Sequence, residues 1–112
     1  MAPVRLRGTL ITSTPEYLEY VLDLLAEVPD VSTRKMMGEY VVYASGKVIG
    51  GVYDDRFLVK DTAASREAFS NAELPYEGVS EMMLVDVEDR GAIAVLVADM
   101  LPELPEPRKR HE

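Results

Sequence analysis

The sequence predicts an α+β fold in two layers, an antiparallel sheet of about five strands with helices packed on it. Three observations predict it. Apolar residues at helical three-and-four spacing occur near each end of the chain, at Leu18, Val21, Leu22 and Leu25 and again at Ile93, Leu96, Val97, Met100 and Leu101. Between them, Val31 to Lys60 is rich in Val, Ile, Tyr and Phe and is cut by closely spaced turn signals. The resulting order, helix, four strands, short helix, strand, helix, lacks the strict alternation of a parallel α/β fold.

The first helix begins at Thr14-Pro15-Glu16, which supplies a capping hydroxyl, a proline at the first helical position and an acid beside the positive end of the helix dipole. Val28-Pro29-Asp30 ends it. Four strands are expected next, at Val31 to Met36, Glu39 to Ala44, Lys47 to Tyr53 and Arg56 to Lys60. Ser45-Gly46 and Asp54-Asp55 are too short to be anything but antiparallel hairpin turns, so neighbours in sequence should be neighbours in the sheet. Gly50-Gly51 falls inside a strand pattern, where glycine marks a bulge or a close backbone approach. Asp61 or Thr62 caps a short helix through Ala63, Ala64, Ala68 and Phe69, and Asn71 to Gly78 reads as loop around Pro75. Met82 to Asp86 is the fifth strand. Asp86 with Asp89 has the spacing of a reinforced cap for the last helix. Pro102, Pro105 and Pro107 forbid its continuation. The organisation expected is therefore an N-terminal extension over 1–13, one domain over 14–101 and a proline-rich mobile tail over 102–112.

One core is the expectation for 112 residues. A domain of that size buries roughly two-thirds of its unfolded surface and needs neither disulfide nor metal to fold. The chain has no cysteine, which excludes thiol nucleophiles and thiolate metal sites and fits a reducing, cytoplasmic setting. Arg5, Arg7, Gly8 and Thr9 interrupt the apolar residues of the N-terminus, and no stretch reaches the ~20 apolar residues of a membrane span, so no membrane association is expected. The net charge of −8 opposes phosphate backbones unless cations gather on one face. Arg108, Lys109 and Arg110 do gather, but Glu103, Glu106 and Glu112 offset them.

No catalytic centre is expected. The single histidine, His111, lies one residue from the C-terminus, where no base partner can be held against a nucleophile. Asp54-Asp55 is explained by the local backbone bonding that turns favour, and Asp86, Glu88 and Asp89 lack the spacing of a calcium loop. Neither a metal nor a cofactor is implied. The most unusual segment is Arg34-Lys35-Met36-Met37-Gly38-Glu39-Tyr40, two adjacent cations and two thioethers before a glycine. It reads as a strand edge guarded by charge, or as a binding surface in which methionine adapts and arginine directs charge.

That segment, followed by Ser45-Gly46-Lys47 and by Tyr53-Asp54-Asp55-Arg56-Phe57-Leu58-Val59-Lys60, resembles the signature of the TfoX N-terminal domain family over roughly Thr14 to Leu101. The resemblance implies a two-layer α+β domain with about five antiparallel strands. Full-length TfoX proteins carry a further C-terminal domain and regulate natural DNA competence together with the cyclic-AMP receptor protein, and the family supplies no agreed catalytic residues.

The function expected is a non-enzymatic, regulatory protein-binding module that takes a protein partner or a second copy of itself. The reason is that both faces of the hairpin strands are apolar: Tyr40 and Val42 point one way and Val41 and Tyr43 the other, where a half-wet sheet would alternate. The candidate binding residues are Arg34, Lys35, Met36, Met37, Gly38, Glu39, Tyr40, Tyr43, Arg56 and Lys60. Two alternatives stay open. One is a nucleic-acid-associated regulator using Arg34, Lys35, Arg56 and Lys60 if the strands bring them together, which the net charge opposes. The other is an enzyme of unrecognised type, which needs a pocket with two carboxylates of opposed pKa.

Overall fold

The computed structural model describes residues 14–36, 38–75 and 79–105. The expected extension over 1–13, Met37 and the chain beyond Pro105 lie outside them.

Helix α1 (Pro15–Leu24) starts as its sequence dictates, with the Thr14 hydroxyl accepting from the Tyr17 N–H at 3.1 Å and Pro15 at the first position. A distant acid completes the start: the Asp55 carboxylate accepts from the Thr14 N–H at 2.9 Å. The buried stripe is Val21, Leu24, Leu25 and Val28. Leu22, expected in that stripe, is exposed instead. The helix rests on the sheet along its three, four and seven spacing from Val21, which carries Leu24 inward and rotates Leu22 outward.

Strands β1 (Val31–Met36), β2 (Glu39–Ala44), β3 (Lys47–Val52) and β4 (Phe57–Val59) follow as an antiparallel meander. Both hairpin turns place their two central residues at positive φ, Ser45 and Gly46 at 53° and 81°, Asp54 and Asp55 at 53° and 54°. That geometry matches the twist of the flanking strands, and Asp is among the few non-glycine residues that enter it readily. The expected irregularity at Gly50-Gly51 is present. Val42 pairs with Gly50 but Tyr43 pairs with Val48, so Ile49 is the extra residue of a bulge. Ile49 is thereby turned into the core, fully buried. A Cβ on Gly50 would lie 2.1 Å from the Leu58 carbonyl oxygen, so the approach of β4 requires glycine there.

Helix α2 (Ala63–Ala68) is capped by Thr62, whose hydroxyl accepts from the Ser65 N–H while the Ser65 hydroxyl accepts from the Thr62 N–H. The segment read as loop contains a further strand, β5 (Ala72–Glu73), which pairs with β6 (Met82–Leu84). The sheet order is β1-β2-β3-β4-β6-β5, with every neighbour antiparallel. Two residues carry no alternation to read, and their partners, Met83 for Ala72 and Met82 for Glu73, lie eleven and nine positions further on.

Helix α3 (Arg90–Met100) is capped by Asp89, which accepts from the Ala92 N–H at 3.0 Å, and not by Asp86. The chain stays extended because the Val85 N–H still donates to the Phe57 carbonyl beyond the end of β6. Pro102 stops α3 in a 3₁₀ turn, Leu101–Glu103. The region assigned to a tail begins with a packed segment: Leu104 is buried, and the Glu103 carboxylate accepts from the Ala63 and Ala64 N–H groups that open α2.

The helices gather on one face of the sheet. Val21, Leu24 and Leu25 of the α1 region, Phe69, and Ile93, Leu96, Val97 and Met100 of α3 form one core with Tyr40, Val42, Ile49, Val52, Phe57, Val59 and Met83 of the strands. Strand alternation sends Arg34, Val41, Val48, Leu58 and Leu84 to the other face, on which no helix packs among the described residues.

Candidate functional site

The sheet face away from the helices carries a groove of about 460 Å³. Val41 of β2, Val48 of β3 and Met82 of β6 give it apolar walls, Tyr53 adds an aromatic ring, and Lys60, Asp61 and Glu81 add charge. Glycine shapes it: a Cβ on Gly51 would come within 2.6 Å of the Tyr53 side chain, so the bare backbone of β3 leaves the space that the tyrosine occupies. Beneath this side of the sheet Leu58 is fully buried although it stands apart from the helix-side core.

Arg56 braces two residues that line the groove, Tyr53 and Pro75. Its Nη1 donates to Glu73 Oε1 at 2.7 Å and to the Leu74 carbonyl at 3.1 Å, its Nη2 to the Pro75 carbonyl at 3.1 Å, and its Nε to the Tyr53 carbonyl at 3.2 Å. A planar fork with this many donors fixes a strand end that has little packing of its own. Arg56, a candidate for binding, is therefore engaged in holding β5 and Pro75 in place.

The other candidates fall in several places. Tyr40 is part of the buried core and not of a surface. Its cross-strand neighbour Lys35 points to the helix side of β1 and is exposed at the sheet margin. Arg34 and Met36 are exposed on the opposite side of the same strand. Gly38, at φ 83°, makes the β1–β2 turn, and the Glu39 carboxylate accepts from the Asp54 N–H at 3.2 Å, linking that turn to the β3–β4 turn. Tyr43 is half-buried on the groove side, paired with Ser32 and Val48. Lys60 lines the groove. Met37 lies outside the described residues. Arg34, Lys35, Arg56 and Lys60 do not form one basic surface: consecutive residues of β1 point to opposite faces, Arg56 is taken by its clamp, and Lys60 lies beyond β4 with two strands between it and β1.

Sequence reasoning missed Val41, Val48, Tyr53 and Met82 as groove residues. Their signal was present in the double-sided apolar pattern of the hairpins, but only the pairing of β4 with β6 brings Met82 beside Val48.

In the groove, Asp61 is held by both Nε and Nη2 of Arg66, at 2.6 and 2.9 Å. Asp55 serves the start of α1. Among the described residues no group of three or more His, Cys, Asp or Glu is placed to hold a metal ion, and no helix is long and apolar enough to cross a membrane. Among the described residues the ionisable groups that depart from ordinary behaviour are Arg66, raised by its bonds to Asp61, and two tyrosines of α1 beside acids. Tyr20 donates to Glu88 at 2.8 Å, which pushes its pKa up to about 12, and burial together with the Asp55 charge raises that of Tyr17.

The fold and this surface define a small α+β domain with helices on one sheet face and a mixed apolar groove on the other. The chain belongs to the TfoX N-terminal domain family, whose match spans residues 23–86, from the end of α1 through β6. That places it among domains related to competence regulators. A Spirochaeta aurantia protein described as an uncharacterized 12.7 kDa protein in the trpE 5′ region is 35% identical over 98 residues, covering 84% of this chain and 85% of that one. No solved structure matches the chain.

Proposed function

We propose that this chain is a non-catalytic regulatory module that docks a protein partner on the sheet face away from its helices. The observation that carries the reading is the groove itself, where Val41, Val48 and Met82 present apolar surface beside Tyr53, with Lys60 and Glu81 at its margin. Apolar and aromatic groups at the centre with charges at the rim is the composition of protein interfaces, and methionine adapts to the shape it meets. Membership in a family related to competence regulators supports a regulatory rather than a metabolic role.

A photoreactive phenylalanine analogue tests this, placed at Val48 in the groove and, as control, at exposed Asp99 on α3, in the native cell. The expected result is a discrete protein adduct from position 48 that is absent from position 99 and lost in a Val41→Glu variant with an unchanged thermal transition. A second copy of the chain as the adduct makes the module a homodimer, checked by sedimentation at micromolar concentration. Equal labelling from both positions defeats the reading.

A further inference from the structure

The sheet ends in two unlike edges, β5 with two residues and β1 with six. β1 pairs along its whole length with β2, in unbroken register from Val31↔Ala44 to Met36↔Glu39, and among the described residues nothing pairs with its other side. A long open edge presents unsatisfied N–H and C=O groups, which proteins ordinarily blunt with proline, a bulge, a short strand or charged side chains. Of these β1 has only the charges, Arg34 and Lys35, which guard the edge against indiscriminate pairing and at the same time select what can pair with it.

Those two cations, with Lys60, differ from the described arginines elsewhere in the molecule. Arg56, Arg66 and Arg90 are each paired with an acid, Glu73, Asp61 and Asp23 respectively. Arg34 and Lys35 have no hydrogen-bond or ion-pair partner among the described residues, in a chain whose acids outnumber its bases twenty to twelve. We propose that the open edge of β1 receives an extended acidic segment of a partner protein as an added strand. Strand alternation fixes the chemistry of that segment. Arg34 shares the groove side of the sheet with Met36, while Lys35 faces the helix side. An added strand therefore meets both cations with two successive acidic residues, one on each face, beside an apolar residue against Met36. Main-chain bonds supply affinity and the acids supply selection.

A second copy of this chain is the poorer occupant, because antiparallel pairing of β1 with itself sets Arg34 and Lys35 opposite or diagonal to their own images. The overall charge of −8 does not forbid an acidic guest. Contact pairs form at about 3 Å, well inside the ~8 Å Debye length of physiological salt, whereas carboxylates farther off are screened. This proposal concerns the edge and not the groove, and it stands if the groove proves unoccupied.

The experiment uses the full isotope-labelled chain with two capped probe peptides, Thr-Val-Glu-Asp-Val-Thr and Thr-Val-Lys-Arg-Val-Thr. The acidic probe is expected to shift amide resonances of residues 31–36, to slow their hydrogen exchange and to bind about tenfold tighter than the basic one, a preference that weakens as salt rises. The double variant Arg34→Glu/Lys35→Glu, with both positions exposed, is expected to fold and to invert the preference; Arg34→Gln/Lys35→Gln is expected to abolish it. Val48→Glu, in the groove and two strands away from β1, leaves the peptide affinity unchanged, which separates this edge from the groove. The proposal is overturned if neither probe is preferred, if shifts centre on Val48 and Met82, if the glutamate variant keeps the original preference, or if the outward amides of β1 are already protected in the free chain.

Discussion

On β2, Tyr40, Val42 and Ala44 face the helices and are buried, whereas Val41 and Tyr43, one step along in each case, face away and are only half-buried. The residues are of the same kind, so burial here is decided by what lies opposite and not by side-chain chemistry. The far side is itself divided. Toward β4 and β6 Leu58 is fully buried, in the region bounded by the segment that Arg56 holds, whereas toward β1 Arg34 and Met36 are exposed. The difference teaches that the helix face and the β4–β6 half of the far face are packed, whereas the β1 half of the far face is exposed among the described residues.

The largest expected effect contrasts those faces directly. Phe57→Ala, on the helix side, is expected to lower stability by about 3–5 kcal/mol, against less than about 1.5 kcal/mol for Val48→Ala in the groove, compared by urea unfolding. Equal losses would make the groove part of the core. Next is Gly50→Ala, whose added Cβ meets the backbone of β4, including the Val59 Cα at 2.7 Å, and cannot be relieved by a rotamer change. A loss of about 3 kcal/mol, at the upper end of overpacking effects, is expected in the same assay. A smaller loss would show that β4 can slide, and that the face it organises is softer than its burial suggests.

Arg56→Ala tests the division within the far side. It removes a half-buried guanidinium from one carboxylate and three carbonyls and is expected to lower stability by about 1–2 kcal/mol. Faster hydrogen exchange should appear at Ala72 and Glu73, with β1 unchanged; acceleration in β1 as well would mean that the two halves are one unit. The smallest effect lies at the margin of α1. Tyr20 ionises near pH 10 in the unfolded chain and near 12 when bonded to Glu88, so its neutral form is favoured by folding. That contribution is present below pH 10 and is lost as pH rises toward 12. It is modest, because the ring is more than a third exposed. Phenolate absorbance is expected to show late-ionising tyrosines, of which Tyr20→Phe removes the one near pH 12.

Several features were legible because their causes are local. Thr14-Pro15-Glu16 starts α1, the two-residue turns close the hairpins, and Gly50-Gly51 marks the bulge, each from the conformational limits of neighbouring residues. β5 was hidden since two residues carry no period, and Asp89 displaced Asp86 as cap because a bond from Val85 to Phe57 keeps the chain extended. Among site residues, Arg34 and Met36 appear where the segment suggested, on an exposed edge, but Tyr40 of the same segment is core. Whether a strand residue serves the interior or the surface depends on which face the helices choose.

By itself, then, the sequence determined the α+β class, the meander of four strands, the family and the absence of cysteine chemistry, all of which rest on composition and on spacing over a few residues. Tertiary structure alone decided that α1 and α3 share one sheet face, that Arg56 holds β5, and that among the described residues β1 ends the sheet with Arg34 and Lys35 unpaired. Those outcomes depend on contacts between segments far apart along the chain, and short-range periodicity carries no information about which distant partner a residue meets.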